Sequence, residues 1–239
     1  MKGPIILRFA LFLLLTAGCV SLGKLSRHDF DSGFYKLKVP GSKSSHVYTE
    51  VVDDSVIVYP VVTEGKKDFP NTSMGMGLKT SRVKPDNYFF KSTFISNSLD
   101  LDLTSILFKS RHSRDDVPNQ FSADLDLALY LGFRKDFYKI VAPIQTFDQG
   151  NSKIRQIGFD LGVFAGIGST PVNPTVTNNK VTQTYDAMIF QKGIAGFISI
   201  NRMSFGLALG YDNLFDKNKS SWIYNQKPYI GLIISVSSF

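Results

Sequence analysis

Residues 121–133 decide the fold of this chain and read Phe-Ser-Ala-Asp-Leu-Asp-Leu-Ala-Leu-Tyr-Leu-Gly-Phe. Successive side chains of a β-strand point to opposite faces, so the odd positions place Phe, Ala, Leu and Phe together. The even positions place Ser, Asp, Ala, Tyr and Gly on the opposite face. This alternation predicts a long β-strand with one apolar face and one face of small and polar residues.

Three further segments alternate in the same way, at residues 99–107, 157–168 and 203–212. Such runs reach the length of about 9–11 residues that a tilted membrane-spanning strand needs. The segments that qualify as spans are 94–110, 121–134, 137–146, 154–168, 181–200, 203–213 and 222–238. Turns are expected at Arg134-Lys135-Asp136 and Asn201-Arg202, and a fold-back at Gln191-Lys192-Gly193 gives an eighth span. The sequence therefore predicts an all-β fold, an antiparallel up-and-down β-barrel of about eight strands.

Two barrel architectures produce this alternation, and they differ in which face meets protein. In a soluble barrel the apolar face is the core, which leaves glycine and alanine on the wet face without any packing benefit. In a membrane barrel the apolar face meets lipid, and small and polar side chains fill the interior. The second architecture accounts for the glycines and the carboxylates together, so we expect a barrel of the outer-membrane type.

The hypothesis of a membrane barrel predicts a polar cluster inside the barrel, because buried carboxylates need cationic or hydrogen-bonding partners. We expect a structural polar plug, since an eight-stranded barrel is largely filled by side chains. A carboxylate ring that selects cations is the functional alternative. The predicted carboxylates are Asp100, Asp102, Asp124, Asp126, Asp160 and Asp212, and the candidate cations are Arg134, Arg155 and Lys192.

The N-terminus has the pattern of a secretory signal. Lys2 and Arg8 precede an apolar run, and the run ends in Leu15-Thr16-Ala17-Gly18-Cys19. This ending resembles the lipobox of bacterial lipoproteins, in which the cysteine is lipidated and becomes the new N-terminus. The alternative is an ordinary signal peptide followed by an incidental buried cysteine. We expect residues 1–18 to be a lipoprotein signal peptide and Cys19 to carry the lipid.

The segment between the signal and the barrel contains a polar tether, short strands and a linker. Residues 46–62 are rich in β-branched and aromatic residues around Asp53-Asp54-Ser55, which predicts a β-hairpin. Residues 63–87 carry Gly, Pro, Lys, Asn and Asp without periodicity and are typical of a linker. The predicted organisation is a tether, β-hairpin segment and linker over 19–87 and a β-barrel domain over 88–239.

Composition limits the chemistry that the chain supports. One cysteine and three histidines among 239 residues leave little for a multi-cysteine zinc site or a histidine-rich centre. The formal charge of +7 falls to +5 without residues 1–18, which hold two basic and no acidic residues. The charges alternate in sign without a long basic block, so nucleic acid is not an expected partner. We expect no cofactor and no metal site.

Residues 99–109, the glycine-rich strand that ends at Gly168, and residues 210–217 with Trp222-Ile223-Tyr224 and residues 227–231 resemble an uncharacterised family of Gram-negative envelope lipoproteins. The resemblance covers about residues 90–239. It implies a cell-envelope β-protein with an outer-membrane-type barrel region. It brings no catalytic residues.

The leading hypothesis is a lipid-anchored barrel of the outer membrane with a structural or interaction role in the bacterial envelope. Its expected partners are membrane lipid and other envelope proteins. One alternative is a lipid-tethered soluble barrel of the lipocalin type that binds an apolar ligand. Another is an outer-membrane lipid hydrolase built on His112 in the loop over residues 110–116, which holds serine, histidine and carboxylate side chains without a recognisable motif.

Overall fold

A computed structural model describes residues 30–52, 55–79, 92–124, 126–141, 153–201 and 203–236. The predicted signal peptide, Cys19 and the predicted boundary between residues 87 and 88 lie outside the described residues. The described strands are β1 (Gly33–Lys38), β2 (Ser45–Val52), β3 (Ser55–Glu64), β4 (Lys67–Pro70), β5 (Met76–Lys79), β6 (Thr93–Arg111), β7 (Gln120–Ser122), β8 (Asp126–Val141), β9 (Lys153–Val172), β10 (Tyr185–Ile200), β11 (Met203–Leu214) and β12 (Pro228–Val236). Short 3-10 helices lie at Thr72–Met74, Thr175–Thr177 and Lys217–Ser220.

Six long strands form a ring in which neighbouring strands are antiparallel. The order is β6, β8, β9, β10, β11 and β12, and pairing of β12 with the C-terminal part of β6 closes the ring. The closure is partial, because the described residues of β12 pair with β6 from Ile106 to Arg111 only. The expected all-β, antiparallel, barrel-like fold is confirmed, with six ring strands in the described residues where the sequence indicated about eight spans.

The ring has fewer strands than the sequence indicated because β8 and β10 each continue through a segment where a turn was expected. The tripeptide Arg134-Lys135-Asp136 was expected to form a turn, but β8 passes through it without interruption. Arg134 and Asp136 both point into the ring, where the Arg134 Nε lies 3.0 Å from an Asp136 carboxylate oxygen. β10 likewise runs through residues 191–193 without folding back. The expected turn after Ile200 is present, with Asn201 in the left-handed region at φ 52°.

A β-bulge in β6 redirects the side chains of its C-terminal part. The register between β6 and β12 shifts where Leu232 pairs with Phe108 and Ile233 pairs with Ile106. Leu107 is therefore the extra residue, and the inward positions change from even to odd numbers. Lys109 and Arg111 consequently point into the ring, where both are buried.

Glycines permit the tight curvature of this small ring. A Cβ atom on Gly162 would collide with the backbone of Leu131 and Gly132 on β8, and one on Gly166 would collide with the backbone of β8 at Leu127 and Ala128. A Cβ atom on Gly193 would collide with the backbone of β11. These positions admit only glycine, because backbone atoms of the neighbouring strand occupy the space that a Cβ atom would need.

The two ends of the ring are covered by different parts of the chain. At the end we call the sheet end, β1 pairs with the start of β6, and β1, β2 and β3 pack over Phe94, Tyr138 and Ile140. β2 and β3 pair directly in antiparallel fashion, as expected of a hairpin in this segment. At the opposite end, the cap end, loops over 173–184 and 215–227 place Val176, Trp222, Ile223 and Tyr224 in a buried cluster.

We predict that Gly162→Val destabilises the ring by at least about 2 kcal/mol, because an overpacked side chain must displace the β8 backbone. Denaturation followed by the fluorescence of Trp222, the only tryptophan, measures this change. The matched control is Gly196→Ala on β10, where the nearest atom to an added Cβ lies at 3.5 Å. Equal denaturation midpoints for the two variants would contradict the close approach of β8 and β9.

Candidate functional site

Four charged side chains form a buried ion network near the cap end, which we call the cap-side network. The Lys109 Nζ lies 3.1 Å from Asp126 and 2.9 Å from Asp212. Arg111 donates from Nη2 to the second carboxylate oxygen of Asp212 at 2.7 Å. The Lys109 ammonium also lies 4.5 Å from the centre of the Tyr229 ring. Two cations and two carboxylates therefore neutralise one another inside the ring.

A second network, the sheet-side network, lies toward the opposite end. Its centre is Arg134, which pairs with Asp136 on its own strand and lies 3.7 Å from Asp100 on β6. Gln156 on β9 donates to Asp136 at 2.8 Å. Each of these four side chains is more than nine-tenths buried. The network fixes the side chain of Arg134 between three strands.

An apolar layer separates the two networks. Tyr130 and Phe197 lie at its centre, with ring centroids 4.9 Å apart in an edge-to-face arrangement. The Tyr130 hydroxyl donates to Asp160 at 2.6 Å, and Asp160 shares a hydrogen bond with Asp100, which connects this layer to the sheet-side network. Its other buried members are Ile106, Ala128, Phe164, Ala195, Ala208, Tyr229 and Ile233. The interior is thus stacked in layers of side chains, which is the arrangement of a packed core.

The predicted interior residues divide into three groups. Asp100, Asp126, Asp160, Asp212 and Arg134 are buried inside the ring. Asp102 and Asp124 are half-buried, the first on β6 and the second just before β8. Lys192 and Arg155 are instead exposed on the outer face of β10 and β9. The strand register explains the difference, because Gln191 takes the inward position on β10 and Gln156 takes it on β9.

Sequence reasoning missed four members of the networks, the uncharged Gln156 and three charged residues. Lys109 and Arg111 were not found because the bulge at Leu107 shifts the alternation that would have revealed them. Asp136 was not found because it was assigned to a turn. An extended alternation through residues 126–140 is the signal that would have placed Asp136 inside, since its parity matches that of Asp126 and Arg134.

The outer face of the ring carries a belt of exposed apolar side chains, which we call the apolar belt. Leu161 is 66% exposed and Leu207 is 63% exposed, although both lie in the middle of long strands. The belt includes every ring strand. Its members are Leu99, Leu103 and Leu107 on β6; Leu127, Leu129, Leu131 and Phe133 on β8; Ile157, Phe159, Leu161, Val163 and Ile167 on β9; Met188, Ile194, Ile198 and Ile200 on β10; Met203, Phe205, Leu207, Leu209 and Tyr211 on β11; and Ile230 and Leu232 on β12.

The cap end is sealed by ordered loops. The Ile223 N–H donates to the Val176 carbonyl at 3.0 Å, which joins the two long loops. Arg111 lies 5.6 Å from the centre of the Trp222 ring, so the cap-side network contacts the loop cluster directly. The Asn218 backbone N–H donates to Asp216 and lowers the pKa of that carboxyl. Burial raises the pKa of Tyr224 beneath the same loop.

The described residues offer little support for a catalytic or metal site. His112 is exposed on the loop that follows β6, and no described hydrogen bond joins it to a hydroxyl or a carboxylate. Within the described ranges, no group of three or more histidine, cysteine, aspartate or glutamate side chains is arranged to hold a metal ion. No described helix combines the length and the apolar character needed to cross a membrane.

Comparisons with known proteins do not place the chain in a family. No protein-family model matches the chain, and neither a curated protein nor a solved structure shows significant similarity to it. The resemblance to Gram-negative envelope lipoproteins therefore stays a prediction.

We predict that Lys109→Met destabilises the ring by about 3–5 kcal/mol, because it leaves the Asp126 carboxylate buried without its cation. Urea denaturation followed by Trp222 fluorescence measures the effect. Lys192→Met is the matched control, since Lys192 is exposed on the outer face of β10. A Lys109→Met protein as stable as the control would show that the cap-side network contributes nothing to folding.

Proposed function

We propose that this protein is a lipid-anchored β-barrel of the bacterial outer membrane with a structural or interaction role in the envelope. The observation that carries the proposal is the reversal of ordinary polarity in the ring. Two buried ion networks, with one apolar layer between them, occupy the interior, whereas leucine, isoleucine and phenylalanine cover the exterior. This is the distribution of a transmembrane barrel, whose outer face is solvated by lipid.

The energetics of the apolar belt support a lipid environment. Burying an exposed leucine, isoleucine or phenylalanine side chain contributes about 1.5–3 kcal/mol. Monomeric soluble proteins rarely expose contiguous apolar patches larger than a few hundred Å². The apolar belt continues around all six strands, so a soluble monomer would leave far more apolar surface in water than such proteins tolerate.

The height of the apolar belt fits a bilayer. On β9 the outward apolar residues extend from Ile157 to Ile167. At roughly 3.3 Å per residue this segment is about 33 Å long. With a strand tilt of about 40°, it covers about 25 Å along the barrel axis, which is the height of the apolar band of outer-membrane barrels.

The loop lengths and the N-terminus suggest one orientation. The shortest ring connection, the β10–β11 turn at Asn201, lies at the sheet end together with the β8–β9 connection over 142–152, and each cap-end connection, over 112–125, 173–184 and 215–227, is longer than either. Outer-membrane barrels have short turns on the periplasmic side and longer loops outside. We therefore propose that β1–β5 face the periplasm. A lipid on Cys19 would enter the membrane from that same side.

The layered interior favours a structural role over transport or ligand storage. A barrel of the lipocalin type holds an apolar ligand in a cavity, but here the inward positions carry packed rings and ion pairs. Both ends of the ring are also covered, by the N-terminal strands and by the cap loops. The alternative of a lipid hydrolase gains no support, because His112 is exposed and no described hydrogen bond joins it to a hydroxyl or a carboxylate. We propose that the barrel anchors β1–β5 at the membrane, where they contact other envelope proteins.

The proposal predicts that the strands hold the protein in the outer membrane without the lipid anchor. Cells producing the wild type and Cys19→Ala are fractionated, and the membranes are extracted with urea and run on gels with and without heating. We expect Cys19→Ala to stay in the membrane fraction, provided that its signal is still cleaved, and to change mobility on heating. Release of this variant as a soluble folded protein would contradict the proposal.

An arginine scan of the apolar belt tests lipid contact directly. Leu161→Arg at the centre of β9 is expected to cost about 2–4 kcal/mol in a bilayer, because a cation at the midplane is poorly solvated. Met188→Arg near the cap end is the control and is expected to cost about 0–1 kcal/mol. The measurement is the denaturation midpoint of barrels folded into vesicles. Equal and negligible costs at both sites would indicate that the belt faces water.

A further inference from the structure

A row of cations crosses the outer surface at the sheet end. Lys38 on β1 pairs with Thr93 on β6, Thr93 pairs with Lys139 on β8, and Lys139 pairs with Arg155 on β9. Neighbouring strands lie about 4.8 Å apart, so the row covers roughly 15 Å. Lys38, Lys139 and Arg155 are all exposed. This basic row lies just beyond the sheet-end margin of the apolar belt.

An apolar groove adjoins the basic row on its membrane side. Ile95, Phe137, Ile157 and Phe159 form its walls, and Lys38 and Lys139 stand among the lining residues. The groove has a volume of about 610 Å³, which lies within the size range of small-molecule sites. Ile95, Phe137 and Ile157 are direct neighbours across β6, β8 and β9. The apolar groove and the basic row therefore form one continuous surface.

The charge around the groove has one sign. Lys36 on β1 and Lys135 on β8 are also exposed on this outer face. The described outward positions in 34–38, 93–97, 135–139 and 155–159 hold no carboxylate. The cap end differs, because Lys217 and Lys219 there stand beside Asp216. The uniform positive charge of the outward positions around the groove favours an anion, and the adjoining groove favours one with an apolar tail.

We infer that this groove binds an anionic glycerophospholipid. Lys38, Lys139 and Arg155 hold the phosphate of the headgroup, and one acyl chain lies against Phe137, Ile157 and Phe159. The inference rests on the proposed function, because the groove meets lipid only if the apolar belt is inserted. It goes further by naming the lipid class and the rim at which the lipid binds. Exposed cations near an anionic membrane surface each contribute about fivefold in affinity.

The test uses the mature lipidated protein reconstituted in nanodiscs of phosphatidylcholine with a minor share of phosphatidylglycerol. Native mass spectrometry of the released protein measures the ratio of the two lipids that stay bound. We expect phosphatidylglycerol to be enriched on the wild type. Lys139→Gln should lower this enrichment about fivefold, and the triple variant Lys38→Gln/Lys139→Gln/Arg155→Gln should abolish it.

The matched control removes three exposed cations from the cap end, as Lys180→Gln/Lys217→Gln/Lys219→Gln, and should retain the enrichment. Insertion of the wild type without any lipid preference, or equal loss in both triple variants, overturns this inference alone. Failure of the wild type to insert overturns the proposed function and the inference with it. Displacement of phosphatidylglycerol by excess inorganic phosphate would also overturn the inference, because it would show a phosphate site without a contribution from the acyl chain.

Discussion

The narrow interior of a six-strand ring is the constraint on which the rest of this structure depends. Eight strands already leave an interior that side chains fill, and six strands leave less. Gly162, Gly166 and Gly193 stand where neighbouring backbone excludes any side chain. The remaining volume is taken by rings such as Tyr130 and Phe197, and the same cluster contains three buried alanines. The ring can therefore close only with small residues at regular inward positions.

This constraint also decides where charge and apolar surface go. Since the interior has no room for a continuous aliphatic core, the aliphatic side chains lie on the outer face of all six strands. Carboxylates that point inward need cations or hydrogen-bond donors as partners, and the bulge at Leu107 supplies Lys109 and Arg111 at the level of Asp126 and Asp212. Buried pairs of this kind add specificity of register more readily than net stability. The resulting molecule is apolar outside and holds its ion pairs inside, and this distribution supports the proposal that lipid surrounds it.

The sequence predicted the alternating strands, the antiparallel barrel-like fold and the inward positions of Asp100 and Asp160, because period-two alternation reports directly which face a side chain takes. Arg134 was proposed as a cationic partner for these acids, and the structure places it beside Asp100. Alternation does not report a bulge, so Lys109 was missed, and it does not separate a polar turn from a pair of inward charges, so Asp136 was missed as well. Lys192 was expected inside because acids needed a partner, yet its parity matches Ile194 on the outer face. The pairing of β1 with β6 joins segments more than fifty residues apart, and no local pattern reveals such contacts.

The central claim is that the apolar belt contacts lipid. The most direct measurement places a spin label on cysteines introduced one at a time at the outward positions Met203, Phe205, Leu207, Leu209 and Tyr211 of β11, in protein folded into vesicles. Collision rates with oxygen, which concentrates in the bilayer, and with a water-soluble nickel complex then report the depth of each label. The account predicts the highest oxygen and lowest nickel accessibility at Leu207, with a gradient toward both ends of the strand. High nickel accessibility at all five positions would contradict it.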